Sequence, residues 1–264
     1  MARRVAIGNN KGGAKKSTTA VRLAEALAKR GRRVGVLDLD PQGNASRRLG
    51  WTDDPANPKL TTSEAIEANA EGVAAQVWQP IGWKAEYAER ITLMPARFTL
   101  EDRATEAGQR GAWRRLAKAL KGADDHLDYV LIDCPPSLGH LTQMGLAAAH
   151  FALASTEPEY DSVEAAVRYR DFVAASGEDL GNPELRFIGI VVSGYDMRVG
   201  AHVGQLGGVR EIFGDSVWGV VPRRALVANA DEYAEPLSEM ADSHEVRAVF
   251  ELLAERCEKE VNPA

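Results

Sequence analysis

The sequence predicts an α/β fold, a mostly parallel, twisted sheet flanked by helices on both faces. Apolar runs suited to strands recur at residues 5–7, 34–37, 91–94, 129–132, 151–155, 187–192 and 217–221. Helical patterns fall between them, notably at 113–121 and 163–173. Two runs end on carboxylates, Asp38 and Asp133, and the first ends in a glycine-containing loop. A chain of 264 residues with 45% hydrophobic content can fill the core of one such domain, spanning 1–264.

The first run leads into Gly8-Asn9-Asn10-Lys11-Gly12-Gly13-Ala14-Lys15-Lys16-Ser17-Thr18, after which Val21, Ala24, Leu27 and Ala28 share one helical face. Strand, glycine loop and helix form the setting of a phosphate-binding loop. The helix N-terminus offers free backbone N–H groups and a positive dipole end to an anion. Lys16 is spaced to reach terminal phosphates and Ser17 to hold a magnesium ion, Mg²⁺. The expected ligand is a nucleoside triphosphate. The common pattern G-x-x-x-x-G-K-[ST] is altered, with Asn10 and Lys15 at the glycine positions and an extra lysine, Lys11, upstream.

The second strand closes on Asp38-Leu39-Asp40-Pro41-Gln42-Gly43-Asn44. Asp-x-Asp after a strand is by itself a common turn or cap. In an open α/β sheet, however, strand C-termini face the ligand crevice. That places Asp38 and Asp40 beside the phosphates, one to steady hydrated Mg²⁺ and one to orient an attacking water. The run Tyr129-Val130-Leu131-Ile132 has the composition of a strand buried on both faces. It ends on Asp133, a further magnesium candidate, followed by Cys134-Pro135-Pro136-Ser137-Leu138-Gly139, a stiff loop that cannot continue the sheet.

Together these motifs resemble the ParA family of DNA-partitioning ATPases, within the group of deviant P-loop (deviant Walker A) NTPases that also holds MinD and the nitrogenase iron protein. Lys11-Gly12-Gly13-x-x-Lys16-Ser17-Thr18-Thr19 is similar to the first family motif, Asp38-x-Asp40-Pro41-Gln42-Gly43-Asn44-Ala45 to the second and Asp133–Gly139 to the third. Pro158-Glu159-Tyr160, Gly194-Tyr195-Asp196-Met197-Arg198 and Val221-Pro222-Arg223 extend the resemblance over nearly the whole chain, faintly between 51 and 90. The resemblance implies ATP and Mg²⁺ as cofactors and slow, partner-stimulated hydrolysis. It also implies an ATP-dependent homodimer that holds non-specific DNA, and a ParB-like partner bound to a centromere or cargo. Lys11 matches the lysine that acts across the dimer, Lys16 the lysine on the β- and γ-phosphates and Ser17 the metal ligand. Thr18 matches a hydroxyl on the α-phosphate and Asp40 the residue that orients water. Gly12, Gly13, Ala14 and Lys15 complete the cradle, and Pro222 and Arg223 fall where the family wraps the adenine. Arg198, with Arg223 and Arg224, falls where the family contacts DNA.

Two departures stand out. Lys15 replaces a family glycine, and a lysine in the left-handed conformation that glycine adopts costs roughly 1–2 kcal/mol. Leu226 stands where the family often has a DNA-binding arginine, a charge that Arg223 and Arg224 are placed to replace. The net charge of −6 argues against constitutive tight DNA binding. It is compatible with a weak local patch made useful when two subunits pair. Two cysteines, Cys134 and Cys257, fit a reducing cytoplasm. No run approaches the roughly 18 apolar residues of a membrane span, and there is no signal-peptide pattern. The expected location is the cytoplasm, on the nucleoid.

Residues 51–83, with Pro55, Pro58 and Pro80, are expected to form a loop or variable insertion. Residues 204–208 are expected to be a glycine-rich turn and His202 a lone surface histidine. The tail 245–264 has a helical pattern with Val246, Val249, Phe250, Leu253 and Cys257 on one face. A MinD-like membrane role needs a basic helix there. Glutamates outnumber basic residues on this one, so core packing is expected. The two cysteines lack the spacing of an iron–sulfur bridge. A nucleotide-gated scaffold that hydrolyses very slowly remains the non-enzymatic alternative.

Overall fold

Neighbouring strands in this chain are joined through helices, so parallel pairing dominates. The computed structural model describes residues 1–262. Strand β1 (Arg3–Gly8) leads through the glycine loop to α1 (Lys16–Lys29) and β2 (Val34–Asp38). Helices α2 (Asn44–Arg48) and α3 (Thr62–Glu67) precede β3 (Gln79–Pro80) and β4 (Ile91–Met94). Short helices α4 (Leu100–Ala104) and α5 (Arg115–Ala119) lead to β5 (Tyr129–Asp133). Then α6 (His140–Ala148), β6 (Phe151–Thr156), α7 (Tyr160–Ser176), β7 (Arg186–Tyr195) and α8 (Gly200–Phe213) alternate. Strand β8 (Val217–Pro222), α9 (Ala225–Glu232) and α10 (His244–Val261) close the described chain.

The eight strands form one sheet in the order β3-β4-β2-β5-β1-β6-β7-β8, with β3 antiparallel to its neighbour and the other pairings parallel. Alternation along the strands divides the core in two. Val5 and Ile7 join α1 and α10 residues such as Leu23, Leu27, Phe250 and Leu253 on one face. Ala6 and Ile132 join Leu141, Met144, Val163 and Ala166 of α6 and α7 on the other. The predicted α/β architecture and each predicted strand are present.

Gly8 is where the two layers are locked to the loop. A Cβ there would lie 2.2 Å from the Tyr169 ring, whose hydroxyl donates to the Ala6 carbonyl at 3.3 Å. Only glycine lets α7 pack that closely on the end of β1.

Four expectations are corrected. Residues 51–83 are not wholly loop: α3 is nucleated by a capping box in which Glu64 receives the Thr61 backbone N–H at 2.7 Å. A one-turn helix (Val73–Gln76) and β3 follow, with Pro80 tolerated on the sheet's edge strand. Residues 204–208 are helical, inside α8, because Leu206, Val209 and Phe213 bury one stripe that outweighs the poor helix propensity of glycine. His202 lies in the first turn of α8, where its Nδ1 accepts the Asp196 backbone N–H at 3.1 Å. The predicted helix at 113–121 is a short turn (Ala112–Arg114) running into α5. The helical tail holds to Val261, its apolar face buried as expected, and Pro263 and Ala264 lie outside the described residues.

A Cβ on Gly204 would meet nothing within 4 Å. Gly204→Ala is therefore expected to stabilise the protein by about 0.5–1 kcal/mol, chiefly through the unfolded chain. Thermal unfolding checks this, and an unchanged or lower melting temperature would contradict it.

Candidate functional site

The C-terminal ends of β1, β2, β5 and β6 meet around the glycine loop. Adjacent strands bring the acids into one row: Asp38 pairs in register with Asp133, and Asp133 with Ile7 at the root of the loop. The loop is tied down from below. The Asn9 amide donates to the carbonyls of Ser155 and Ser162 at 2.8 and 3.2 Å, and the Ser155 hydroxyl donates to the Ala14 carbonyl at 2.7 Å. Gly13 sits at φ 79° and Lys15, the residue before α1, at φ 60°. The left-handed lysine expected from the missing glycine is thus present.

Lys16 is buried, and its ammonium donates to the Lys11 carbonyl at 3.1 Å. Burial pulls its pKa down, against the opposing pull of Asp133 and Asp40. Asp38 accepts the Ser46 backbone N–H at 2.8 Å, the Ser46 hydroxyl at 2.7 Å and the Asp40 N–H at 3.1 Å. Its oxygens therefore organise the start of α2. Asp40 in turn accepts the Gln42 N–H at 3.0 Å. Asp133 is fully buried, and neither of its oxygens makes a hydrogen bond of good geometry, although the Ser17 hydroxyl lies near enough to oppose the rise in its pKa. Burial, reinforced by the Asp38 carboxylate, pushes its pKa up to about 8, and burial pushes Asp38 up to about 6.

A buried carboxylate without a donor is costly; a proton relieves it in the nucleotide-free protein, as its raised pKa shows, and a bound cation can take the proton's place. Among the described residues no three His, Cys, Asp or Glu side chains group into a ready-made cation cage. Ser17 and Asp133 nevertheless suit Mg²⁺, which keeps several waters and takes the rest of its shell from phosphate oxygens.

Beside the loop lies a cavity of about 450 Å³, lined among others by Lys15, Thr18, Glu157, Ser193, Pro222 and Arg223. Its far wall is held by a buried charge network that the sequence reading missed. Asp231 accepts hydrogen bonds from the Thr18 hydroxyl at 2.6 Å and Arg22 at 2.8 Å, and Arg48 forms an ion pair with it at 2.9 Å. Glu25 accepts the Tyr87 hydroxyl and the backbone N–H groups of Leu237 and Ser238. Thr18 therefore points at Asp231, where an α-phosphate contact was expected. His202, expected at the open surface, lines the same cavity, as does Ser193, whose buried hydroxyl has no partner.

Lys11 reaches outward to Glu159 at 3.0 Å, and Lys15 lies 3.7 Å from Glu157. Arg198, Arg223 and Arg224 follow the ends of β7 and β8, but two are already engaged. Arg198 clamps Asp196 through Nε and Nη2 at 2.9 and 2.8 Å, and Arg224 pairs with Glu245 at 2.6 Å. Cys134 and Cys257 are buried thiols. No described helix is long and apolar enough to cross a membrane.

The loop, its acids and the parallel sheet define a P-loop NTPase. A family model described as an AAA domain (AAA_31) matches residues 2–185. The chromosome-partitioning ATPase Soj of Thermus thermophilus is 33% identical over 263 residues, covering 99% of this chain and 98% of Soj. Two solved structures bracket the fold. McdA from Cyanothece in complex with ATP superposes with a TM-score of 0.84 at 21% identity, over 97% of this chain and 96% of McdA. Cobyrinic acid a,c-diamide synthase from Mycobacterium smegmatis with ADP and magnesium gives 0.73 at 31% identity, over 89% and 93%. The chain belongs to the AAA_31 domain family and, within it, to the ParA/Soj family of partitioning ATPases.

Asp38 and Asp133 both bind protons more tightly in the folded protein than in the unfolded chain. Stability of the nucleotide-free protein is therefore expected to fall as pH rises from about 4 through the folded values near 6 and 8. Asp133→Asn is expected to flatten that decline between pH 6 and 8 in denaturant titrations. A profile as steep as wild type would remove Asp133 as its source.

Proposed function

We propose that this protein is a nucleotide-timed switch that binds ATP with Mg²⁺, pairs into a dimer, holds non-specific DNA and lets go on hydrolysis. The observation that carries this reading is Asp133, a buried carboxylate without a partner, facing a buried lysine at the mouth of a phosphate loop. The partitioning ATPases among its relatives support the same function.

Within that function, backbone N–H groups of residues 12–18 cradle the phosphates and Lys16 neutralises the terminal pair. Ser17, Asp133 and Asp38 would hold Mg²⁺, which would spread the charge that builds on the leaving phosphate. Asp40 orients the attacking water and Lys11 turns outward to a partner subunit's nucleotide. Pro222 and Arg223 border the base. Arg198, Arg223 and Arg224 supply a DNA patch too weak in one copy of an acidic chain and effective when doubled. The buried apolar face of α10 leaves no membrane-binding stripe there, which favours DNA over lipid as the surface. A ParB-like protein bound to plasmid, chromosome or other cargo is the partner that speeds hydrolysis, on the nucleoid in the cytoplasm.

DNA retention over a salt series with ATP, ADP or no nucleotide tests this reading. Retention is expected with ATP alone and is expected to be lost in Lys16→Ala. Retention indifferent to nucleotide, or none at any salt, would overturn it. Asp40→Ala is expected to slow turnover by about 10²-fold or more while leaving ATP-dependent retention in place. Phosphate release and DNA retention measured side by side check that separation.

A further inference from the structure

Lys15 breaks a local rule: it starts α1 from a left-handed conformation suited to glycine. Such strain persists where something near it repays the cost, and its position at the loop ties it to function. Its ammonium lies 3.7 Å from Glu157 Oε1, close enough for an ion pair and too long for a hydrogen bond. Both residues line the cavity beside the phosphate loop. The Lys15 side chain is 46% exposed and that of Glu157 25%, so water screens the pair and holds it weakly.

The Glu157 carboxylate is spread over the site. Its oxygens lie 3.7 Å from where a Cβ of Gly13 would stand and 3.6 Å from that of Gly194, so it spans from the loop to the end of β7. Its backbone N–H is fixed by the Ser162 hydroxyl at 3.1 Å. Two residues on, Glu159 pairs with Lys11 at 3.0 Å. Glu157-Pro158-Glu159 thus sets two carboxylates against the two loop lysines that are not buried. Lys16 takes no part, being buried against the Lys11 carbonyl.

We propose that Lys15 is an additional phosphate-contacting cation and that Glu157 is its built-in counter-anion, displaced when a triphosphate enters. This rests on the nucleotide reading above and assigns a sign to the Lys15 substitution. Lys15 strengthens triphosphate binding, and Glu157 weakens it twice, by occupying the ammonium and by repelling the incoming charge. Discrimination between triphosphate and monophosphate follows, because the ammonium acts on phosphate charge and not on the nucleoside.

Calorimetric titrations of ATP and AMP against wild type, Lys15→Met, Glu157→Gln and the double variant test the pair. Lys15→Met is expected to weaken ATP by about three- to tenfold and AMP by less than about twofold. Glu157→Gln is expected to tighten ATP by about threefold or more, a gain that shrinks in the double variant. Lys15→Gly guards against misfolding, since glycine suits the conformation: its melting temperature should rise while ATP binding weakens. ATP affinity unmoved by Lys15→Met and Lys15→Gly, or weakened by Glu157→Gln, would overturn the proposal. Wild-type protein that binds no ATP would instead overturn the nucleotide reading beneath it.

Discussion

The site depends on the placement of β5 between β1 and β2. That order sets Asp133 level with both Ile7 and Asp38, so the loop root and two carboxylates share one edge of the sheet. Parallel strands collect their C-terminal ends there, and the helix following β1 adds its positive end. The result is unfavourable on its own terms: a buried lysine and buried acids, one of which has no donor. Two apolar cores, one on each face of the sheet, supply the stability that lets so much desolvated charge stand open to a ligand.

A second layer of charge keeps the cavity wall in place. Asp231 on α9 gathers Thr18, Arg22 and Arg48, so α1, α2 and α9 share one carboxylate. Glu25, one turn along α1 from Arg22, captures the segment that follows α9 through two backbone N–H groups. Arg22 is fully buried, and a buried ion loses heavily when its partner goes. These contacts give the wall that carries Pro222 and Arg223 a fixed position relative to the phosphate loop. The Arg223 backbone N–H, donating to Tyr195 at 2.7 Å, carries the same wall across to the end of β7.

Much of this was legible in the sequence because it is local. Apolar runs ending in Asp38 and Asp133, and the loop between β1 and α1, announce themselves by spacing alone. Lys15 was legible too, since a residue occupying a glycine position inherits its backbone conformation. What escaped was long-range or counter to propensity. Asp231 lies 213 residues from Thr18, and nothing around it distinguishes an acid that anchors three elements from a solvated one. The glycines of α8 read as a turn because propensity argued for one, and the burial of Leu206, Val209 and Phe213 prevailed. His202 read as a surface residue because its cavity is assembled from the ends of separate strands.

The arginines after β7 and β8 bear on the DNA-retaining role proposed for this acidic chain, because two of them already pair with acids. Arg198 holds Asp196 well below the usual carboxylate range through its guanidinium hydrogen bonds, and Arg224 is matched by Glu245. To meet a phosphate, each must exchange one anion for another, so little net attraction is gained in a single copy. The exchange becomes favourable when two copies present the same arginines together, since the second contact is then effectively intramolecular. Arg223 and Arg224 directly follow Pro222, on the wall of the cavity proposed for the nucleotide. Occupancy of that cavity and the placement of the arginines therefore share one short segment, tied to β7 by backbone hydrogen bonding. That segment is the physical link through which nucleotide state would reach the DNA patch proposed above.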